Sequence, residues 1–130
     1  MKNAKCMRRD VVALAMGIAL AVLAVGPLSS LTLAHNELLK TDPPAHATLK
    51  ASPSRIQFWF EEKPDMTVTK ISVKGPAGPV EAAVHTVSEK VVAADFKSKL
   101  APGEYTVTWQ TAGDDSHISK GQFSFTVTAP

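Results

Sequence analysis

Three side chains of this sequence could do chemistry together: Asp115, His117 and, far upstream, His35. In an extended backbone residues two apart face the same way. The Asp115-Ser116-His117 spacing therefore predicts a carboxylate and an imidazole on one face, which is half of a metal site. His35 follows Ala34, and a cut between them would free its α-amine. That amine and the ring Nδ1 can close a chelate ring on one ion. An α-amine titrates near ~8, well below a lysine, so it sheds its proton for a metal at modest cost. His117 adds another nitrogen and Asp115 an oxygen. Nitrogen-rich tetragonal sets favour Cu(II), although imidazole suits zinc as well. The alternative is structural: Asp114-Asp115-Ser116 caps a loop and His117 is simply solvated. His46 and His85 are read as ordinary polar side chains.

The elements before residue 35 say why a cut belongs there. Lys2, Lys5, Arg8 and Arg9 make a basic start, and Val11 to Gly26 is an uncharged, mostly apolar run. A short polar segment follows, with small residues Thr32 and Ala34 at −3 and −1 from the expected cut. Basic, apolar, then small is the order of a cleaved secretory signal, and the apolar run falls short of the ~20 residues that a membrane span needs. Residues 1–34 are thus expected to be removed, leaving one small domain over residues 35–130. The Arg8-Arg9 pair hints at twin-arginine export, with weak support from its neighbours.

Removing 34 of 130 residues leaves 96, enough for one core. Of fourteen Lys and Arg, four lie in the leader, and of twelve Asp and Glu, one does, so the mature part carries ten against eleven. A near-neutral domain without a basic patch excludes a nucleic-acid partner. Cys6 lies in the leader, so the mature domain has no disulfide and no thiolate ligand.

The rest of the chain reads as strands. Ile56, Phe58 and Phe60 alternate within Arg55–Phe60, and Glu61 to Asp65 stops the run. Thr67 to Lys74 is β-branched and ends in the turn-forming Gly75 to Pro79; Val80 to Val87 and Lys90 to Phe96 follow. Leu100 to Gly103 is a tight turn, after which Tyr105, Val107 and Trp109, and later Phe123, Phe125 and Val127, point inward. Short alternating runs broken by Pro and Gly predict an all-β sandwich.

These motifs resemble a known family. Pro102-Gly103-Glu104-Tyr105-Thr106-Val107-Thr108-Trp109, then Asp115-Ser116-His117, then Gly121-Gln122-Phe123-Ser124-Phe125-Thr126-Val127 are similar to the CopC/PcoC family of periplasmic copper-binding proteins. Its pattern is a Pro-Gly-x-Tyr-x-Val-x-Trp strand, an Asp-Gly-His loop and a Gly-x-Phe-x-Phe-x-Val strand. Ala34-His35, Asp42-Pro43-Pro44-Ala45 and Phe58-Trp59-Phe60-Glu61-Glu62 match its earlier segments. The resemblance implies a Greek-key, immunoglobulin-like β-sandwich or barrel of about seven strands. It also implies one Cu(II) per chain, held by His35 (amine and ring), Asp115 and His117. A periplasmic copper carrier, not an enzyme, is implied, monomeric and working with a membrane copper transporter of the CopD type. Two departures bear on the loop: Ser116 stands where the family has glycine, and Ile118 where proline is common. Some members add a methionine-rich loop for Cu(I). Here Met66 is the only mature methionine, and soft Cu(I) wants several sulfur ligands, so the expectation is Cu(II) alone.

Two other functions compete. One is a copper oxidase of the lytic polysaccharide monooxygenase type, which also starts with a chelating histidine on a β-sandwich. Such enzymes are usually larger and present a flat substrate face often bearing exposed aromatics, whereas most of the five Phe, two Trp and one Tyr here fall on core positions. The other is an immunoglobulin-like structural module in which His35 and His117 are incidental.

Overall fold

The computed structural model of the chain describes residues 36–129. The expected leader, residues 1–34, and His35 lie outside the described residues. Within them run nine strands: β1 Leu38–Asp42, β2 Thr48–Leu49, β3 Arg55–Phe60, β4 Lys70–Gly75, β5 Gly78–Val80, β6 Ala82–Ser88, β7 Val91–Phe96, β8 Gly103–Ala112 and β9 Ile118–Val127. They form two sheets, ordered β1-β3-β7-β6 and β2-β9-β8-β4-β5. All pairings are antiparallel except the short parallel pairing of β2 with the end of β9.

The alternation read from the sequence is the alternation that packs. Ile56, Phe58 and Phe60 of β3 are buried, as are Tyr105, Val107 and Trp109 of β8 and Phe125 and Val127 of β9. Aromatic rings tie one sheet to the other. Phe60 meets Trp109 edge-on with centroids 5.6 Å apart, and Phe58 meets Phe123 at 6.1 Å. Edge-to-face pairs of this kind add about 0.5–1.5 kcal/mol to the burial of their area. At the turn before β8, the Tyr105 hydroxyl donates to the Ala101 carbonyl at 2.7 Å. This corner is a hallmark of Greek-key sandwiches.

The nine strands exceed the seven or so that the resemblance implies by two short ones, β2 of two residues and β5 of three. β5 exists because Gly75 pairs with Gly78 around Pro76-Ala77, so part of the expected turn is ladder. β4 begins three residues later than Thr67. Asp65 Oδ1 accepts from the Thr67 N–H at 2.9 Å and from its hydroxyl at 2.7 Å, and the Asp65 carbonyl accepts from the Thr69 N–H at 3.0 Å. These local bonds hold Thr67 and Val68 in a turn against their β-branched preference.

Candidate metal centre

The β8–β9 hairpin sets the site. Its ladder runs to the Ala112–Ile118 pair, leaving residues 113–117 to make the connection. The Ser116 N–H donates to the Gly113 carbonyl at 3.1 Å, which closes a turn, and Ser116 takes a left-handed φ of 60°. Asp115 and His117 are brought together here, but not by the extended backbone that their spacing suggests. A turn does it. Asp115 Oδ1 accepts the His117 backbone N–H at 3.1 Å, and Oδ2 lies 3.1 Å from the His117 ring Nδ1. Aspartate favours this self-bonding two residues on, which explains why it nucleates a turn where the spacing alone suggested a strand. Serine holds the backbone conformation for which glycine is the default residue, so the departure at residue 116 leaves the turn in place.

Other elements fix the loop from below. The Glu61 N–H donates to the Glu37 carbonyl at 2.9 Å, extending the β1–β3 contact past the Leu38–Phe60 pair. Asn36, fully buried, accepts from the Glu62 N–H through Oδ1 at 2.9 Å and donates through Nδ2 to the Glu62 carbonyl at 3.2 Å. The Glu62 side chain then turns to the loop, where Oε2 accepts the Asp114 N–H at 3.1 Å. Gly113 makes room for this. A Cβ there would collide with Glu62 Oε2 and approach the Asn36 Cβ to 3.2 Å. On the other side the Asp65 N–H donates to the Ala112 carbonyl at 2.9 Å. The sequence reading missed Asn36 and Glu62. The buried amide of Asn36 has no signature in sequence, since its partner is 26 residues away.

The remaining histidines belong elsewhere. His46 lies between β1 and β2, its N–H donating to the Ser124 carbonyl at 2.7 Å. His85 lies on β6, the far edge of the other sheet, with Nε2 3.7 Å from Asp95 Oδ2. Among the described residues, no group of three or more His, Cys, Asp or Glu side chains is placed to hold a metal ion. A groove runs between β1 and β9, lined in part by Leu38, Trp109, Ile118 and Phe123.

Comparison with known proteins agrees with this architecture. Residues 38–128 match the model of the CopC domain. The chain is 28% identical over 113 residues to Protein YobA of Escherichia coli strain K12, covering 84% of this chain and 91% of that one. It is 33% identical over 107 residues to Copper resistance protein C of Escherichia coli, covering 73% of this chain and 82% of the relative. Its fold matches the crystal structure of PcoC, a methionine-rich copper resistance protein from Escherichia coli, with a TM-score of 0.67 and 28% identity. That match covers 73% of this chain and all of the other. With the family model spanning nearly the whole sandwich, this chain belongs to the CopC family.

Proposed function

We propose that this chain is an exported, periplasmic Cu(II)-binding protein that holds one copper ion for delivery to a membrane or soluble partner, a CopD-type membrane copper transporter foremost. The observation that carries the reading is the Asp115–His117 pair at the hairpin tip. With Asp115 ionised, the ring holds its proton on Nδ1 and points that nitrogen at the carboxylate. Nε2 is then the nitrogen assigned to copper, the arrangement in which a carboxylate raises the basicity of a ligating histidine. A carboxylate bonded to Nδ1 lies across the ring from a metal on Nε2, so in this arrangement Asp115 orients His117, and it offers copper an oxygen only by giving up the ring.

The other donors come from His35, whose α-amine and ring complete the set once the leader is removed. Export and this cleavage rest on the layout of residues 1–34 and on the family. The role is binding rather than catalysis. Five of the eight aromatic side chains, Phe58, Phe60, Tyr105, Trp109 and Phe125, fill the core. The outward-facing Trp59 sits on the other sheet under Lys40 Nζ at 4.4 Å. Among the described residues, then, no flat aromatic platform favours a polysaccharide oxidase.

Titration of protein starting at residue 35 with Cu(II), followed by electron paramagnetic resonance, tests the proposal. One equivalent should bind with a tetragonal, nitrogen-rich spectrum, and His117→Ala should abolish that spectrum. Binding unchanged by His117→Ala contradicts it.

A further inference from the structure

Asn36 is one of two buried polar side chains among the described residues, the other being Thr111. A buried amide is costly unless its polar atoms are bonded, and Asn36 spends both ends on the backbone of one residue, Glu62. In doing so it imitates a strand partner. The β1–β3 ladder stops at the Leu38–Phe60 pair, the Glu37–Glu61 backbone bond carries it on, and the Asn36 side chain extends it to Glu62. Glu62 passes the constraint on by accepting the Asp114 N–H. The residue next to His35 and the residue next to Asp115 are thereby tied through a single intermediary. The fit leaves little slack, because any side chain at Gly113 would press on both Glu62 and Asn36.

We infer that Asn36 is a positioning residue for the copper centre: its side-chain amide sets where the mature N-terminus emerges relative to the Asp115–His117 loop. The inference rests on the reading that His35, Asp115 and His117 hold the ion. Without the Asn36 amide, the chain ahead of Glu37 loses its tie to the end of β3. The N-terminal chelate must then be ordered by copper itself, at a cost to affinity.

The test compares Asn36→Ala and Asn36→Asp with the wild type, all starting at residue 35, with Val127→Ala as a control for general loosening. Val127 is buried and pairs with Gly103 at the opposite end of β9 from the loop. Asn36→Ala should weaken Cu(II) by about 10–100-fold, the range for residues that orient metal ligands, and should shift or broaden the resonance spectrum. Asn36→Asp keeps the acceptor for the Glu62 N–H but turns a buried carboxylate oxygen on the Glu62 carbonyl, and should not restore wild-type affinity. In metal-free protein, exchange of the Glu62 amide proton should accelerate in Asn36→Ala and not in Val127→Ala. Wild-type affinity and spectrum in Asn36→Ala, or equal copper losses in Asn36→Ala and Val127→Ala, overturn the inference. The His117→Ala variant separates the two levels: if it still binds copper as the wild type does, the ligand assignment fails rather than the positioning role.

Discussion

Asp115 grips His117 twice, once by the backbone N–H and once at the ring Nδ1, each at 3.1 Å. One carboxylate thus shapes the turn and aims the imidazole. Removing it should do both kinds of damage. Asp115→Ala is expected to weaken Cu(II) by about 10–100-fold, or more where its oxygen leaves the ring and binds the metal directly. Asp114→Ala should cost far less, because the bond that Asp114 makes to Glu62 uses its backbone N–H. Competitive Cu(II) titrations of both variants check this, and equal losses would contradict the assignment.

Ser116 holds a left-handed φ that costs a non-glycine residue roughly 1–2 kcal/mol. Ser116→Gly removes that cost but adds about 0.5–1 kcal/mol of chain entropy to the unfolded state. The difference leaves a net gain of up to about 1.5 kcal/mol, a rise of as much as several degrees in melting temperature for a domain of this size. The copper spectrum should not change. A fall in the melting temperature of metal-free Ser116→Gly would show that the turn does not strain serine.

Asp65 has its carboxyl held below the usual range by the Thr67 hydroxyl and then by the Thr67 N–H. A carboxyl whose pKa is lower in the folded state adds stability above its unfolded pKa and loses it as the pH falls through the folded value. The stability gap between wild type and Asp65→Asn should therefore be constant near neutrality. It should narrow as the pH drops below the ordinary carboxylate range. Denaturant midpoints across that range provide the measurement, and a gap independent of pH would be the contrary result.

Met66 is the one sulfur after residue 34, since Met1, Met7, Met16 and Cys6 all precede it. It is 38% exposed on the loop before β4. One thioether is a poor match for soft Cu(I), so the mature protein should surrender Cu(I) to a selective chelator, and Met66→Leu should behave the same way. Retention of Cu(I) that disappears with Met66→Leu would reverse this expectation.

The sandwich was legible because its long strands bury every second residue, and a period of two survives in sequence at Ile56-Phe58-Phe60 and Tyr105-Val107-Trp109. The short strands β2 and β5 carry too few residues to show a period. Asp115 and His117 were legible as a pair but for a different physical reason, a turn closed by the aspartate rather than an extended face. The support beneath them was not legible. Asn36 reaches Glu62 across 26 residues and Glu62 reaches Asp114 across 52, contacts that only the assembled sheets create. The spacing could nominate the donors at the hairpin tip but not the side chains that hold them.

The central claim is that proteolysis makes the copper site by turning the nitrogen of His35 from an amide into an amine. An amide nitrogen gives up its proton at far greater cost, so one donor and its chelate ring are missing until the cut is made. The most direct test measures Cu(II) affinity and the resonance spectrum of protein starting at His35 against protein with one extra residue before it. The extended form should bind much more weakly with an altered spectrum, and the native form should lose affinity as acid protonates its α-amine. Identical affinity and identical spectra would contradict the account, because the amine would then not be a ligand.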